Sequence, residues 1–281
     1  MEHILSLSYG KDSLACLGAI EALGWPLDRI VHADVWATDT IPADLPPMVE
    51  FKAKADKIIK ERWGIEVEHV CAMNKGKKWT YEKNFYKSVM KETLQKRLSH
   101  PNRIERGCAE IYGFPSRKGL WCNKLKFRGS IGWGNAKTYA GIAADESNRI
   151  SRWAGKLVMP LVEAGWDEAY CRQWCEENDL LSPIYTTTAR GGCWFCHNQG
   201  VNQLRLLRQN YPDLWALMLK WDADSPVTFK ADGHTVHDFD ARFAMEDAGL
   251  ILPTDRWEWK MLEEYQIPAE FYVRMGGVDK L

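Results

Sequence analysis

The sequence predicts an α/β fold, in which an open, mostly parallel sheet has helices on both faces and is followed by a small C-terminal helical appendage. Short apolar strand patterns alternate with helical patterns as far as Cys71, and such alternation is typical of parallel strands joined by crossover helices. Apolar residues make up 46% of the 281 residues, which is enough for a sizeable core and excludes global disorder. A polar turn containing Gly10 joins the first predicted strand to the first predicted helix.

The elements can be assigned in chain order. Strands are predicted at residues 3–7, 29–35, 66–71 and 138–142, and helices at about 12–23, 49–63, 167–178 and from 202 onward. Asp12 or Ser13 is expected to cap the first helix, and Gly24 is expected to end it. Two domains are expected: residues 1–220 form the α/β domain with a cysteine-rich region, and residues 221–281 form an acidic helical appendage packed on it.

The turn after the first strand is a candidate phosphate-binding loop. It consists of Ser8, Tyr9, Gly10, Lys11, Asp12 and Ser13. Backbone N–H groups at a helix start attract anions, a glycine lets the backbone approach a phosphate, and the two serines add hydroxyl donors. Lys11 adds positive charge and Asp12 could position Mg²⁺, so these two are the candidate catalytic residues. The spacing excludes a Walker A loop and the dinucleotide glycine fingerprint; an ordinary glycine turn is the alternative.

A second candidate segment follows the fourth predicted strand. Gly141, at the carboxyl end of that strand, would open the crevice in which open α/β sheets bind ligands. Asp145 and Glu146 could hold a metal ion or a ribose, and Arg149 could hold a phosphate. A helix start with an arginine ion pair is the alternative. Asp34, at the end of the second predicted strand, completes the candidate nucleotide-binding residues.

These two segments carry a resemblance to a known family. The run SYGKDS resembles the SGGKDS loop of the PP-loop adenine nucleotide α-hydrolases, with Tyr9 where Gly or Ser is usual. The run GIAADES at 141–147 resembles the Gly-Ile-Arg-x-Asp-Glu pattern of the phosphoadenosine phosphosulfate reductase branch, with Ala143 in place of Arg. The resemblance covers residues 3 to about 215, includes LSPIY at 181–185, and is closest to reductase-like proteins of bacteria and their phages.

The resemblance implies an adenine nucleotide α-hydrolase-like fold and an enzyme that acts at or next to the α-phosphate of its nucleotide. The loop would bind the phosphates or sulfate of ATP or phosphoadenosine phosphosulfate, with Mg²⁺. The implied reaction is either a reduction or an ATP-dependent sulfur transfer to an acceptor such as a nucleic acid. A nucleotide-binding accessory protein without catalysis is the alternative from a different class.

The last two of the eight cysteines form a CxxC pair, Cys193 and Cys196, whose spacing lets two thiolates bind one metal. A thioredoxin-type redox pair is another interpretation. The resemblance adds Cys122 as a third ligand of a 4Fe-4S cluster, with Cys108 or His197 as the fourth ligand or with one iron left open. A structural zinc would use the same thiolates, and spacing does not separate the two.

The other cysteines fit a structural role. Cys171 and Cys175 lie four residues apart on a predicted helix, and Cys16 and Cys71 lie in core-like patterns, so we expect packing rather than metal binding. No cysteine follows Cys196. The thioredoxin-linked phosphosulfate reductases use a catalytic cysteine near the C-terminal end, so their usual chemistry is not expected.

Charge is unevenly distributed along the chain. The formal net charge is −1, but residues 74–128 contain 15 Lys/Arg and 4 Asp/Glu, whereas residues 221–281 contain 6 and 13. A basic stretch suits a polyanionic partner, either a nucleotide or a nucleic acid. A solvated helix face balanced by the acidic tail is the alternative.

The sequence predicts a cytoplasmic protein with no membrane partner. It shows no signal-peptide pattern and no apolar run of the ~18–20 residues that span a bilayer. In that compartment eight cysteines are not a disulfide framework. Besides the adenine nucleotide, a nucleic acid, an electron-donor protein and a second copy of the chain are left open as partners.

Overall fold

A computed structural model describes residues 1–86, 136–186, 192–225, 228–230 and 232–254. Its contacts divide the chain into two units. The first contains residues 1–80 and the described residues between 136 and 193, and the second contains residues 81–86 and those between 194 and 254. The described residues after 220 therefore group with residues 194–220, whereas the sequence places a domain boundary at 220; that boundary stays a prediction.

The first unit is built around a parallel sheet. Its strands are β1 (His3–Leu7), β2 (Arg29–Asp34), β3 (Val67–Cys71) and, later in the chain, β6 (Lys137–Tyr139). They lie in the order β3-β2-β1-β6, and every pairing is parallel, which confirms the predicted α/β class. A separate antiparallel pair, β4 (Met73–Asn74) and β5 (Lys77–Lys78), turns through Lys75 and Gly76, which both have positive φ.

The strand order reverses at β1. The chain steps outward from β1 to β2 and β3, whereas β6 pairs with the opposite side of β1. Helices α1 (Lys11–Leu23) and α2 (Pro46–Trp63) make the first two crossovers. Because open α/β sheets bind ligands outside the carboxyl ends of their strands at such a reversal, the ends of β1 and β6 are where a site is expected.

Seven further helices lie in the described ranges. They are α3 (Tyr81–Tyr86), α4 (Ser147–Trp153), α5 (Pro160–Glu163), α6 (Glu168–Glu177), α7 (Val201–Asn210), α8 (Pro212–Asp224) and α9 (Val236–Asp247), with a 3-10 turn at Pro183–Thr186. Helix α6 is the helix predicted at 167–178, and the Asp167 side chain caps it by accepting from the Tyr170 N–H at 2.7 Å. The strand predicted at 138–142 is shorter, because the chain turns where the Ile142 N–H donates to the Ala140 carbonyl.

Helix α1 is the central helix of the first unit. Its residues 13–20 are all buried, and it packs against α6. The two helices approach closely: a Cβ added at Gly18 would lie 2.4 Å from the Trp174 ring, so a larger residue does not fit there. Helix α1 ends at Gly24, whose φ of +65° is typical of a glycine C-cap, as the sequence predicts.

The second unit has an aromatic core. The rings of Trp194 and Trp221 stack at 5.6 Å with an interplanar angle of 8°, and Phe195 packs edge-on against Trp194 at 5.0 Å. Helix α9 begins with a capping box, in which the Asp238 N–H donates to Thr235 Oγ1 and the Thr235 N–H donates to Asp238 Oδ2. The described part of the acidic segment thus contains the end of α8 and helix α9, with non-helical residues before and after α9.

Candidate functional site

The loop that follows β1 is held closed by its two serines. Ser13 Oγ accepts hydrogen bonds from the Ser8 N–H at 3.1 Å and the Ser8 hydroxyl at 3.0 Å, and it donates to the Gly10 carbonyl oxygen at 2.9 Å. Both hydroxyl hydrogens are used within the loop. The serines therefore fix the shape of the loop, and their donation to a ligand stays a prediction.

Helix α1 starts without a side-chain cap. Gly10 is its N-cap, so the prediction that Asp12 or Ser13 caps the helix is wrong. The reason is that the Ser13 hydroxyl turns back into the loop and the Asp12 carboxylate accepts from the Lys11 ammonium. The Lys11 N–H donates to the Tyr185 hydroxyl oxygen at 3.2 Å. An N-terminus of this kind offers backbone N–H groups and the positive end of the helix dipole to an anion.

The Lys11 ammonium lies between two carboxylates. Lys11 Nζ donates to Asp12 Oδ1 at 2.7 Å and to Glu168 Oε2 at 3.1 Å. Burial lowers the pKa of Lys11, but the hydrogen bonds and negative charges of Asp12 and Glu168 outweigh burial and raise the pKa above its ordinary value. Lys11 is therefore a fixed positive charge at the start of α1.

Gly141 lies against the first turn of α1. A Cβ added to Gly141 would be 2.6 Å from Ser13 N and 2.7 Å from the Asp12 carbonyl carbon. Side-chain atoms do not approach backbone so closely, so only glycine fits at this position. The contact brings together the two segments that the sequence marks separately, at the reversal of strand order where a ligand crevice is expected.

Glu146 and Arg149 bind each other beside this contact. Arg149 Nη1 donates to both carboxylate oxygens of Glu146 at 2.7 Å, and Glu146 Oε2 also accepts from the Ala143 N–H at 3.1 Å. Asp145 Oδ1 accepts from the Glu168 N–H at 3.2 Å. The arginine ion pair that the sequence left open as an alternative is therefore formed, and a phosphate contact by Arg149 stays a prediction.

Three carboxylates converge at the start of α1. One oxygen from each of Asp12, Glu146 and Glu168 lies within 4.8 Å of the others. Burial raises the pKa of Asp12; Lys11 opposes this effect, and the negative charges of Glu168 and Glu146 add to it. Carboxylate oxygens are donors that Mg²⁺ prefers, so the group fits a divalent cation. Glu168 carries no sequence signal of this role, because it comes from the first turn of α6.

Asp34, the last residue of β2, belongs to a second group of charges. Its carboxylate pairs with His69 Nδ1 at 3.0 Å, with His32 Nε2 at 3.3 Å and with Lys52 Nζ at 3.6 Å. Burial raises the pKa of Asp34, but the hydrogen bonds from the two histidines and the charge of Lys52 outweigh burial and hold the pKa well below its usual range. Lys52 Nζ also binds Asp44 Oδ2 at 2.5 Å. Asp34 is therefore already paired, and its contact with a nucleotide stays a prediction.

Tyr9 joins this second group. Its side chain is fully buried, its hydroxyl donates to the Asp56 carboxylate, and the same hydroxyl lies 3.1 Å from His69 Nε2. Hydrogen bonds to Asp34 and Asp56 raise the pKa of His69 to about 9. The sequence places Tyr9 among the ligand contacts, but no local motif marks His69 or Asp56.

Two of the predicted thiolate ligands lie within the described residues. Cys193 and Cys196 are both partly exposed. Cys108 and Cys122 lie outside the described residues. The complete ligand set of a cluster or zinc site therefore stays a prediction.

Two side chains hold the chain around Cys196. Asn198 Nδ2 lies 3.7 Å from Cys196 Sγ as a donor. Lys230 Nζ donates to the carbonyl oxygens of His197, at 2.8 Å, and of Gln199, which holds the chain after the cysteine pair. Burial lowers the pKa of Lys230, against the raising effect of Asp232 and Cys196. An amide donor beside a sulfur is a contact that metal-binding cysteines also make, and metal or cluster binding by Cys196 stays a prediction.

Three other cysteines of the first unit behave as packing residues. Cys16, Cys171 and Cys175 are fully buried, as the sequence predicts, whereas Cys71, which the sequence also places in the core, is partly exposed because it lies at the end of edge strand β3. Burial raises the pKa of Cys171 and of Cys175 to about 12, and Cys175 Sγ donates to the Lys11 carbonyl oxygen at 3.2 Å. These thiols are neutral and support α1 and α6.

Comparisons of the chain with protein family models, with curated proteins and with solved structures found no match. The resemblance to the PP-loop proteins therefore stays a prediction, and the function is inferred from the geometry of the first unit and the chemistry of its residues. No helix in the described ranges combines the length and the apolar character needed to cross a bilayer.

Proposed function

We propose that the first unit binds the phosphates of an adenine nucleotide at the start of α1, and that the protein is an enzyme acting on that nucleotide. The observation that carries the proposal is the contact between Gly141 and the backbone of Ser13. It brings the loop of residues 8–13 and the segment after β6 to one edge of the sheet. That edge lies at the reversal of strand order, where open α/β sheets bind ligands.

Each part of the site has a role that follows from its chemistry. The first N–H groups of α1 and the Lys11 ammonium would bind phosphate oxygens and stabilise the negative charge on them. The carboxylates of Asp12, Glu146 and Glu168 would hold Mg²⁺, whose charge offsets that of the phosphates. The Lys11 N–H, which donates to the Tyr185 hydroxyl oxygen in the structure, would donate to a phosphate oxygen when the nucleotide binds.

The adenine part of the proposal comes from the resemblance of the loop to the PP-loop adenine nucleotide α-hydrolases. The four parallel strands and the reversal at β1 support a fold of that type. ATP and phosphoadenosine phosphosulfate are the two ligands that the resemblance implies.

The second half of the proposal is sulfur chemistry. Cys193 and Cys196, with Cys122 and either Cys108 or His197, would hold a 4Fe-4S cluster that supplies electrons or binds sulfur. The reaction would then be reduction of a phosphosulfate nucleotide or ATP-dependent sulfur transfer, for example to a nucleic acid. The spacing and the partial exposure of the CxxC pair support metal binding by that pair.

The substitution Gly141→Ala tests the nucleotide site. The new methyl group would lie 2.6 Å from Ser13 N and displace the start of α1, so we expect ATP affinity in the presence of Mg²⁺ to fall by more than about tenfold. Isothermal titration calorimetry of the full chain with ATP measures it. Wild-type protein that binds neither ATP nor phosphoadenosine phosphosulfate would contradict the proposal.

Two glycine variants serve as matched controls. Gly200→Ala places its methyl group no closer than 3.8 Å to Gln203 Oε1 and should leave ATP affinity unchanged, with a small loss of stability because Gly200 is the N-cap of α7. Gly18→Ala meets the Trp174 ring at 2.4 Å and should destabilise α1 packing away from its first turn. If Gly18→Ala loses ATP binding as fully as Gly141→Ala, the effect at Gly141 is general destabilisation.

Turnover and cofactor assays separate the possible reactions. Release of AMP and pyrophosphate from ATP indicates activation for sulfur transfer, and release of sulfite from phosphoadenosine phosphosulfate indicates reduction. Anaerobic purification should give a brown protein whose iron–sulfur absorbance is lost in Cys193→Ala. A colourless protein with one zinc would make the cysteine site structural, and binding without turnover would make the protein a nucleotide-binding accessory protein. A steep salt dependence of RNA or DNA binding would support a nucleic-acid acceptor.

A further inference from the structure

Tyr9 is a buried aromatic residue with a left-handed backbone. Its φ is +55° and its relative exposure is 0%. Residues with a Cβ rarely adopt this region, because the Cβ approaches a neighbouring carbonyl oxygen, whereas glycine adopts it freely. Such conformations persist where the surrounding structure holds them. The backbone at Tyr9 therefore depends on the contacts of its own side chain.

The side chain of Tyr9 contacts three different elements. Its hydroxyl donates to Asp56 on α2 and lies 3.1 Å from His69 Nε2 on β3. Its ring meets the edge of His32 on β2 at a centroid distance of 4.7 Å, and Lys52 Nζ lies 5.3 Å from the ring centroid. The residue thus joins β2, β3 and α2 to the loop, one position before the N-cap of α1.

We infer that Tyr9 is a positioning residue for phosphate binding: its anchored hydroxyl holds the loop backbone so that the first N–H groups of α1 face the ligand. The inference rests on the proposed function and deepens it. Because the hydroxyl is buried and bound to Asp56, Tyr9 acts through the backbone and not by touching the phosphates. Loss of this anchor would therefore lower the affinity for a ligand that has phosphates, and would leave the affinity for adenosine, which has none, unchanged.

The substitution Tyr9→Phe removes the anchor and keeps the ring. The left-handed backbone stays unfavourable, and the hydrogen bond to Asp56 that holds it is lost. Hydrogen bonds to charged groups contribute enough that ATP affinity in the presence of Mg²⁺ should fall on the order of tenfold. Adenosine affinity should stay unchanged. Isothermal titration calorimetry of the full chain measures both ligands.

Tyr139→Phe is the matched control. Tyr139 has a relative exposure of 2%, lies in the same core, and donates its hydroxyl hydrogen to the Pro26 carbonyl oxygen at 2.9 Å. Both variants lose one hydroxyl with one hydrogen bond, so both should lower the melting temperature. Only Tyr9→Phe should weaken ATP binding, and an equal loss in the control would overturn the positioning role.

A double-mutant cycle tests the partner. Tyr9→Phe and Asp56→Ala break the same hydrogen bond, so the double variant should bind ATP about as weakly as the weaker single variant. Fully additive losses would overturn the inference. If Tyr9→Phe does not fold, Asp56→Asn, at a side chain 29% exposed, weakens the same bond and should lower ATP affinity in the same direction.

The outcomes separate the inference from the function on which it rests. Wild-type protein without affinity for ATP or phosphoadenosine phosphosulfate overturns both. Wild-type binding with equal ATP affinity in Tyr9→Phe overturns the inference alone. A variant that weakens ATP and adenosine alike also overturns it, because the loss is then not specific to phosphates.

Discussion

Two charged clusters of the first unit behave in opposite ways. Around Asp12, burial and the charges of neighbouring carboxylates outweigh Lys11, and the pKa of Asp12 is raised. Around Asp34, hydrogen bonds from two histidines and the charge of Lys52 outweigh burial, and the pKa of Asp34 is lowered. The surroundings of Asp12 therefore disfavour its negative charge, which an added cation would stabilise, whereas the surroundings of Asp34 already favour its negative charge.

This difference distinguishes a binding site from a structural network. Like charges held close together are costly unless a ligand offsets them, and perturbed groups of this kind are found at functional sites. A carboxylate that is fully paired has little to gain from a ligand. This difference supports the proposal that the cluster at the start of α1 binds a nucleotide and Mg²⁺ and that the cluster between β2, β3 and α2 holds the loop.

The largest expected effect is on stability, in the paired cluster. Lys52 is 9% exposed and binds Asp44 and Asp34, so Lys52→Met leaves carboxylates without their cation. We expect the free energy of unfolding to fall by about 3 kcal/mol. Lys54, two residues along α2, is 56% exposed and pairs with Asp179, so Lys54→Met should cost less than about 0.5 kcal/mol. Urea unfolding measures the stability of both variants. Equal small losses in the two would contradict a structural role for Lys52.

An intermediate effect is expected in the first cluster. Glu168→Gln removes one of the three carboxylates. Mg²⁺ should then increase ATP affinity about tenfold less in the variant than in the wild type. The free energy of unfolding should stay the same within about 0.5 kcal/mol. Calorimetric titrations with ATP, in Mg²⁺ and in EDTA, measure the gain. Glu177→Gln, on the same helix and bound only to Gln173 among the described side chains, is the control. If Glu168→Gln instead lowers the free energy of unfolding strongly and leaves the Mg²⁺ dependence of ATP affinity intact, the cluster at the start of α1 is structural and the proposed Mg²⁺ site is contradicted.

The smallest expected effect is the pH dependence of stability. Because His69 has a pKa of about 9 in the folded chain and about 6.5 when unfolded, its protonated form stabilises the fold. This contribution is fully present below about pH 6.5 and is lost as pH rises through about 9. Since a third of the His69 side chain is exposed, solvent screening limits the contribution of His69 to the free energy of unfolding to about 1 kcal/mol. Urea midpoints should fall over this range in wild type and less in His69→Gln; identical slopes would show that His69 is not the group responsible.

Much of the fold of the first unit can be predicted because its signals are local. Strand β1 matches the prediction at 3–7, and Gly24 ends α1, since apolar runs and glycine act over a few residues. Helix α2 starts at Pro46 rather than at the predicted 49, because proline is favourable in the first turn of a helix. The cap of α1 is different: Ser13 has the right side chain, but its hydroxyl closes the loop instead.

The contacts of the candidate site are less predictable, because they join elements far apart in the chain. Glu168 reaches Lys11, and Tyr185 meets the same lysine's N–H, although no linear motif connects them. Gly141 is marked by its motif, but its approach to α1 depends on β6 pairing beside β1. The loop motif predicts that Tyr9 contacts a ligand. Only its positive φ and its hydrogen bond to Asp56 indicate that it anchors the loop backbone.

The contact between Gly141 and α1 also sets an order of assembly during synthesis. The ribosome makes the loop about 130 residues before the glycine that borders it, which at the usual rate of synthesis corresponds to roughly 6 to 26 seconds. During that interval α1 can form and β1 can pair with β2, but β6 and Gly141, which border the start of α1, have not been made. The proposed nucleotide binding is therefore a property that the growing chain would acquire only once β6 has joined the sheet.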